Sequence, residues 1–383
     1  MRILYVSHSF PLPEEPLSNV GGMQRVAVEL YRALRADPEV ELSELLLETS
    51  WASTGRRTPF FLASLLARIP AIVRDKRIDA VLFSSMVTAA VTPLLHRRIR
   101  AAGAVTAAIP VGRDVTLPNP VYQLLVPRIL RSLDFVLPIS RATAEACLAR
   151  GSRPERTHVV PCGVDFQRLE QLGATESRRA RLRKLLSAQG HNIPDEAMLL
   201  LSVGRHQERK GFHWFNEEVV PKLRSDTIYL LAGAGPMTGS IGEIVAKRGL
   251  QQRVLLLGEV TEEELVTLYG GADLFIMPNI PVAGDIEGFG VVMLEAGAAG
   301  LPVVAADLEG IRDVVTSGEN GTLVPPRDIA AFVSAIDAYR QPGVLRHASG
   351  RAAEFVQANF GWPAIARSYL QILRGQQSST ATV

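Results

Sequence analysis

Short apolar runs alternate with longer amphipathic segments from one end of the chain to the other. The runs are rich in Val, Ile, Leu and Ala and contain few polar positions, which is typical of strands buried on both faces of a parallel sheet. In the first part of the chain the pattern predicts strands at Arg2–His8, Val40–Glu48, Asp79–Ser84, Val105–Val111, Phe135–Ile139 and His158–Pro161. In the second part it predicts strands at Leu199–Val203, Ile228–Ala232, Val254–Gly258, Leu274–Pro278, Pro302–Ala306 and Gly321–Val324.

The segments between these runs have helical periodicity, for example at Gln24–Arg35, Phe60–Asp75 and Arg141–Arg150. Alternation of strands and helices predicts an α/β fold with a doubly wound parallel sheet. Because the alternation occurs twice, we expect two Rossmann-like domains that face a central cleft. Their predicted bounds are 1–165 and 166–360. The polar stretch at 165–196 contains the linker and an exposed helix in this prediction, and the polar tail at 376–383 is predicted to be disordered.

A length of 383 residues agrees with two domains, and the composition is that of a core-forming protein. The longest uncharged stretch near the N-terminus, Ala80–Leu95, contains two serines and a proline, so no transmembrane helix is predicted. The N-terminus does not resemble a signal peptide, and two cysteines cannot form a disulfide scaffold or a four-ligand zinc site. The sequence therefore predicts a cytoplasmic protein, with Cys147 and Cys162 in its core.

The charge is distributed unevenly along the chain. Residues 1–160 contain 20 Lys and Arg against 14 Asp and Glu, whereas the remainder contains 21 against 25. The basic first part indicates an anionic partner such as phospholipid, or else dispersed solvated arginines, and the charge is too scattered for nucleic-acid binding. The helix around Phe60, Phe61 and Leu65 has basic flanks. It either lies on the inner face of the cell membrane, which would make the protein peripheral, or packs on the sheet.

Ligands of open α/β sheets bind beyond the carboxyl ends of the strands, so the residues that follow each strand are the candidates. Gly21 and Gly22 precede the first helix, where they either let an anion approach the backbone or only form a turn. Arg205 and Lys210 follow the first strand of the second part. Two cations at this position are suited to hold a diphosphate, and the alternative is an ordinary charged loop.

Two carboxylates, Glu287 and Glu295, lie eight residues apart around the start of a predicted helix that runs to about Ala299. Gly288 and Gly290 allow the helix N-terminus to bind phosphate through its backbone. Glu295 lies about 7–8 Å further along the axis, a distance that suits the hydroxyls of a ribose. Glu287 would face the sugar or the reacting carbon. The alternative is that both glutamates only stabilise the helix.

Other motifs are weaker. Gly233-Ala-Gly235 resembles part of a dinucleotide fingerprint, but Pro236 interrupts it. Val260 follows another strand, where it either borders a pocket for a base or belongs to a plain turn. His8 is the one histidine that follows a strand in a suitable place. The sequence contains no P-loop motif, no G-x-S-x-G, no H-E-x-x-H and no Asp-x-Asp, the usual divalent-ion ligand near a diphosphate.

Taken in order, these motifs resemble glycosyltransferase family 4, the large retaining family with the GT-B fold. The resemblance covers nearly the whole chain. It rests on the Gly21-Gly22 loop, Pro138-Ile139-Ser140, Pro161–Asp165, Gly204–Gly211, Gly233–Pro236, the E-x7-E of Glu287 and Glu295, and Asn320–Pro325. It implies that a last helix, at about 361–375, packs back on the first domain.

The resemblance also implies roles for these residues. The second domain would bind a nucleotide-diphosphate sugar such as a UDP- or GDP-sugar, and the first a saccharide or lipid-linked acceptor. Arg205 and Lys210 would neutralise the leaving diphosphate without a metal or other cofactor, and Glu287 would bind the sugar. The remaining donor-binding residues would be Gly21, Gly22, Gly235, Val260, Gly288, Phe289, Gly290, Val291 and Glu295.

The sequence departs from the family at one position. Val111 stands where many relatives have a histidine near the donor sugar, and Asp114 or His8 are the candidates to replace it. A retaining glycosyltransferase of cell-envelope glycan or exopolysaccharide biosynthesis is therefore the predicted function. A nucleotide-sugar-binding subunit without activity is the alternative suggested by Val111, and an NAD oxidoreductase is a third hypothesis that rests only on Gly233 and Gly235.

Overall fold

The computed structural model describes residues 1–12, 22–167, 169 and 175–375. The chain forms two compact units. The first comprises Met1–Gly163, Gly284–Phe289 and the chain from Trp362, and the second comprises Val164–Ala283 and Gly290–Gly361. The sequence interpretation placed Gly284–Phe289 inside the second domain, but its contacts place it in the first unit.

Each unit is built on one parallel sheet. The first sheet has the order β2-β1-β3-β4-β5, and its strands are β1 Arg2–Phe10, β2 Glu41–Glu48, β3 Ala80–Phe83, β4 Val105–Ala108 and β5 Phe135–Val136. The second sheet has the order β11-β10-β9-β6-β7-β8, and its strands are β6 Met198–Val203, β7 Thr227–Ala232, β8 Val254–Gly258, β9 Leu274–Met277, β10 Val303–Ala306 and β11 Gly321–Val324.

Helices connect the strands in both units. In the first half of the chain they are α1 Gly22–Ala36, α2 Trp51–Asp75, α3 Thr92–Ala101, α4 Arg113–Thr116, α5 Pro120–Ser132, α6 Arg141–Leu148 and α7 Thr175–Ala188. In the second half they are α8 Phe212–Trp214, α9 Thr238–Lys247, α10 Glu262–Gly271, α11 Val291–Ala298, α12 Ile329–Ala338, α13 Pro342–Asn359 and α14 Trp362–Leu373. Helix α14 packs on α1 within the first unit.

Apolar side chains between the helices and the sheet form the core of each unit. In the first unit Phe61 and Leu65 of α2 pack with Val81 and Phe83 of β3. This arrangement corrects the membrane interpretation of α2, because two of the three apolar residues assigned to a lipid surface lie in the protein core and only Phe60 is exposed. The amphipathic pattern was correct, and its apolar face meets the sheet.

The predicted α/β class, with two doubly wound parallel sheets, is confirmed. One strand prediction was wrong, because the segment at His158–Pro161 does not form a strand. It continues beside β5 through two backbone hydrogen bonds, from His158 N–H to Val136 and from Val160 N–H to Pro138. Cys147 and Cys162 are buried as expected, and burial raises the pKa of both thiols.

Within the described part of the chain, no helix combines the length and the apolar character that crossing a membrane requires. The segment predicted as a linker contains α7, which belongs to the second unit and whose Leu182 and Leu186 are buried. The tail predicted to be disordered lies outside the described residues.

Candidate functional site

The strand order of the second sheet defines where a ligand can bind. From β6 the chain proceeds to β7 and β8 on one side and then returns to β9 on the other side of β6. The loops that follow β6 and β9 therefore diverge above the carboxyl ends of these two strands, and such a switch point is the usual ligand site of an open α/β sheet. The predicted cations lie on the first of these loops, and the predicted glutamate motif follows the second.

The loop after β6 carries Lys210 back to the strand end. Lys210 is 7% exposed. Its Cε atom lies beside Gly204, the residue that directly follows β6: if Gly204 carried a Cβ atom, the two atoms would be 3.8 Å apart. Arg205, by contrast, is exposed on the same loop. A buried ammonium group at the carboxyl end of a central strand places positive charge where the ligands of such sheets bind. The loop is therefore suited to hold an anionic group.

The loop after β7 packs closely against the loop after β6. If Gly233 carried a Cβ atom, this atom would lie 2.1 Å from the carbonyl oxygen of Gly204. A Cβ atom on Gly235 would lie 2.7 Å from the carbonyl oxygen of His206, and both distances are too short for a side chain. The Gly-Ala-Gly motif is thus explained by the contact between the two loops. This contact removes the one observation behind the oxidoreductase hypothesis, because the glycines are required whether or not a dinucleotide binds.

Thr238 connects the same two loops. Its hydroxyl accepts a hydrogen bond from the backbone N–H of Gly235, at 2.9 Å, and lies 2.9 Å from Nδ1 of His206. Because the hydroxyl already accepts from Gly235, it can donate its proton to Nδ1 of His206. Burial lowers the pKa of His206, which favours the neutral ring that this arrangement requires. Sequence reasoning missed this contact, since His206 had no assigned role within the Gly204–Gly211 motif and Thr238 belongs to no recognised motif.

The loops after β6 and β9 also contact each other. Gly211 has a φ of 69°, and a Cβ atom on it would lie 1.9 Å from the carbonyl oxygen of Pro278. The N–H of Ile280 donates to the carbonyl of Arg209 at 2.9 Å. Glycine is required at position 211 for both reasons, the positive φ and the close approach. The contact fixes the position of Lys210, the preceding residue.

Helix α11 begins directly after Gly290, which has a φ of 88°. Its N-terminus presents backbone N–H groups that are suited to bind phosphate. Glu295 lies on this helix and is 3% exposed, so it is not a surface residue. The hydroxyl of Tyr269 in α10 donates to Oε2 of Glu295 at 2.8 Å. A buried, oriented carboxylate can accept hydrogen bonds from ligand hydroxyls.

Glu287 belongs by its contacts to the first unit, although it is only eight residues from Glu295. It is 6% exposed. The neighbouring Gly288 lies against the loop after β4, since a Cβ atom on it would be 2.3 Å from the carbonyl oxygen of Val111. The two glutamates of the motif thus belong to different compact units, a separation that their spacing in the sequence does not reveal.

Asp114 holds the loop after β4 in place. Its Oδ1 accepts from the N–H of Val111 at 2.8 Å, and its Oδ2 accepts from the N–H of Met86 at 2.9 Å. Burial raises the pKa of this carboxyl to about 6, although the backbone hydrogen bonds act in the opposite direction. One oxygen therefore shapes the loop that contains Val111, and the other connects this loop to the segment after β3.

His8 lies near the end of β1, at the switch point of the first sheet between β1 and β3. Its Nδ1 lies 3.4 Å from Oγ of Ser85, and Ser84 donates to Oγ of Ser7 at 2.9 Å. Burial lowers the pKa of His8 to about 4, so the imidazole is neutral near pH 7. The carboxyl edge of the first sheet thus carries a buried polar group of one histidine and several hydroxyls.

The remaining predicted residues have the following positions. Gly21 lies outside the described residues, and Gly22 is the exposed first residue of α1. Val260 is half-buried after β8, Val291 is the half-buried first residue of α11, and Phe289 is 2% exposed. The second unit therefore brings Arg205, Lys210, Gly235 and Glu295 to the carboxyl edge of its sheet, on the loops after β6 and β7 and on α11.

Comparison with known proteins identifies a family and relatives that the chain resembles. Residues 197–341 match the family described as glycosyl transferases group 1. The amylovoran biosynthesis glycosyltransferase AmsK of Erwinia amylovora is 28% identical over 213 residues, which are 55% of this chain and 48% of AmsK. These matches support the resemblance to glycosyltransferase family 4. A GDP-mannose-dependent alpha-(1-6)-phosphatidylinositol monomannoside mannosyltransferase of Mycobacterium tuberculosis is 28% identical over 322 residues, or 82% of this chain and 80% of that protein.

The fold is that of solved GT-B structures. Anabaena Alr3699/HepE, in a complex with UDP and glucose, superposes with a TM-score of 0.73 over 98% of this chain and 100% of its own, at 18% identity. At this identity the likeness shows the fold alone. The chain spans 59% and 62% of the length of the first two curated relatives that it matches.

Proposed function

We propose that this protein is a retaining glycosyltransferase of family 4, which moves a sugar from a nucleotide-diphosphate sugar to a saccharide or lipid-linked acceptor. Its place would be the synthesis of cell-envelope glycans or exopolysaccharides. The observation that carries the proposal is the buried Lys210 at the switch point of the second sheet, between Gly204 and the loop after β9. The names of AmsK and of the mycobacterial mannosyltransferase support a role in glycan synthesis.

In the proposed reaction the second unit binds the donor. Lys210 and Arg205 neutralise the diphosphate as it leaves, the N-terminus of α11 contacts phosphate oxygens, and Glu295 accepts hydrogen bonds from the ribose. Protein cations that already face the leaving group stabilise its developing charge without reorganisation, so no metal is required. A UDP- or GDP-sugar is the proposed donor. The complex of the Anabaena structure contains UDP, and the mycobacterial relative is named as GDP-mannose-dependent.

The first unit would contact the acceptor and the donor sugar. Glu287 and the N–H groups around Gly288 would bind the sugar. His8 and the hydroxyls beside it would bind acceptor hydroxyls, since a neutral imidazole and serines can both donate and accept. Asp114 would act as a positioning residue, because its carboxylate connects the loop that contains Val111 to the segment after β3.

The test is transfer or slow hydrolysis with a panel of UDP-, GDP- and ADP-sugars, with nucleotide binding measured by calorimetry. We expect one nucleotide to bind and its sugar to be released or transferred with retention at the anomeric carbon, visible by NMR. EDTA is expected to leave the rate unchanged. Binding of a nucleotide sugar without any turnover would support the alternative, a nucleotide-sugar-binding subunit without activity. The comparisons do not favour this alternative. An inverted product or a strict need for Mg²⁺ or Mn²⁺ would contradict the proposed mechanism.

A further inference from the structure

Three neighbouring helices cover one side of the first sheet. Helix α3 packs against α2 and against α5. Their inward side chains, among them Leu65, Ile99 and Val126, lie in the same buried cluster as Val81 and Phe83 of β3. The inner faces of the three helices thus pack on the sheet, so a cluster of apolar residues on their outer faces needs another explanation.

The outer faces of α3 and α5 are unusually apolar. Leu94 is 70% exposed, Val121 and Leu124 are each 69% exposed, and Leu125 is 45% exposed. Positions 121, 124 and 125 are spaced as one face of a helix, so the three side chains of α5 project together. An isolated exposed leucine is ordinary on a protein surface, whereas a cluster on adjacent helices marks an interaction surface.

Helix α5 is held firmly in the orientation that exposes these residues. The N–H of Tyr122 donates to Oδ1 of Asn119, the N-cap residue, and its hydroxyl donates to the carbonyl of Asp114 at 2.7 Å. The side-chain amide of Gln123 donates to the carbonyls of Val115 and Leu117, both at 2.9 Å. Because Tyr122 and Gln123 hold the preceding loop, Leu124 and Leu125 cannot turn inward without breaking these contacts.

The same part of the chain is strongly basic. Residues 49–133 contain twelve Lys and Arg but only three acids, which are Asp75, Asp79 and Asp114. Of these acids Asp114 is buried under the loop after β4, and neither α3 nor α5 contains any acid. Exposed arginines follow the apolar residues on both helices, at Arg97 and Arg98 in α3 and at Arg128 and Arg131 in α5.

We propose that this surface docks on an anionic lipid bilayer. The surface, named here the α3–α5 face, consists of Leu94, Val121, Leu124 and Leu125 with the arginines Arg97, Arg98, Arg128 and Arg131. Its apolar residues enter the interface between headgroups and acyl chains, while the arginines contact lipid phosphates. The combination of apolar and basic side chains without acids matches a negatively charged, amphipathic surface. It differs from the α2 surface expected from sequence, where Phe61 and Leu65 are buried.

The test is co-sedimentation with vesicles of phosphatidylglycerol and phosphatidylcholine, compared with vesicles of phosphatidylcholine alone. We expect the wild type to bind only the anionic vesicles and to be released by high salt. The variant Leu124→Ser/Leu125→Ser should bind at least tenfold more weakly, because its apolar contact is lost. The triple variant Arg97→Gln/Arg98→Gln/Arg128→Gln should lose about a hundredfold in the partition coefficient, since each basic residue near an anionic surface contributes about fivefold.

Matched variants elsewhere control for changes in surface polarity and net charge. Phe60→Ser removes the exposed aromatic of α2, and Val344→Ser removes an exposed residue of the second unit. Lys222→Gln/Lys247→Gln/Arg346→Gln removes three exposed charges from the second unit. We expect all three controls to bind as the wild type does, and all variants to melt at the wild-type temperature.

Several outcomes would overturn the proposal. The wild type could fail to bind anionic vesicles, or it could bind both vesicle types equally. The control variants could also lose as much vesicle binding as the variants of the α3–α5 face. If light scattering shows a dimer that Leu124→Ser/Leu125→Ser dissociates, while vesicle binding is unaffected, the face is an interface between two copies of the chain. None of these measurements depends on glycosyl transfer, so the result is independent of the proposed activity.

Discussion

The hydroxyl of Tyr269 donates a 2.8 Å hydrogen bond to Oε2 of Glu295, and both side chains are buried. The two residues lie on different helices, α10 and α11, and are 26 positions apart in the chain. A buried carboxylate without a donor would pay a large desolvation cost, so the tyrosine both stabilises Glu295 and fixes the direction in which its oxygens point.

Removing this hydroxyl should weaken nucleotide binding. A hydrogen bond to a charged group contributes about 1.5–3 kcal/mol, so we expect Tyr269→Phe to raise the Kd for the nucleotide by about tenfold or more. Calorimetry with the preferred nucleotide measures the change. Tyr339→Phe is the matched control, because it removes a hydroxyl that bonds to Thr322 at 2.9 Å on the edge strand β11. Equal effects in the two variants would show that Tyr269 has only a structural role.

Lys210 and Glu295 should affect different kinetic constants. In the proposed mechanism Lys210 faces the charge that develops as the diphosphate leaves. We therefore expect Lys210→Ala to lower kcat by about 10²–10³-fold with a smaller change in donor affinity. A contact between Glu295 and the ribose is the same in the ground and transition states, so Glu295→Ala should mainly weaken donor binding. Steady-state kinetics of both variants, with the exposed Lys222→Ala as control, separates the two roles. A rise in KM alone for Lys210→Ala would contradict the assignment.

The close contact between the loops after β6 and β7 predicts opposite results for two glycine variants. In Gly235→Ala the new methyl group would lie 2.7 Å from the backbone of His206, so the loop that carries Lys210 must shift. We expect a loss of several kcal/mol in the free energy of unfolding and weaker nucleotide binding. Gly239→Ala, inside α9, meets no atom within 4 Å and should be neutral or more stable by about 0.5–1 kcal/mol. Urea unfolding of both variants checks the prediction.

His8 should make the protein less stable in acid. Its pKa is lowered by burial to about 4, whereas the unfolded chain titrates near 6.5. Between these values the unfolded state binds more protons, so stability falls as the pH decreases from about 6.5 to 4. Relative to His8→Gln, the wild type should lose about 2 kcal/mol of unfolding free energy between pH 7 and pH 5.

The comparison with His8→Gln isolates the histidine, because Asp114 titrates in both proteins. The raised pKa of Asp114 acts with the opposite sign, since the folded state binds its proton more tightly between about pH 4 and 6. Denaturant unfolding at several pH values measures the difference between the two proteins. A difference that stays constant with pH would mean that His8 titrates equally in both states.

The pattern of residues along the chain predicts the class of fold and most of its elements. Parallel strands buried on both faces need continuous apolar runs, and these runs are visible at β1 and β6 without any structure. It also indicated the edge of the sheet where chemistry is expected, because Arg205 and Lys210 directly follow an apolar run. The strand prediction for the segment after Thr157 is wrong, because a short apolar stretch has the same pattern whether or not it forms a strand of the sheet.

What each apolar or polar face contacts depends on how the elements pack together. An amphipathic pattern shows that α2 has an apolar side, but only the packed helix shows that Phe61 and Leu65 meet the sheet, whereas Leu124 and Leu125 of α5 remain exposed. The hydrogen bond from Tyr269 to Glu295 was not predictable from the sequence either, because a hydrogen bond between two helices depends on how the helices pack. Close packing between distant loops likewise explains Gly235. Periodicity is a local property of the chain, and these contacts are not.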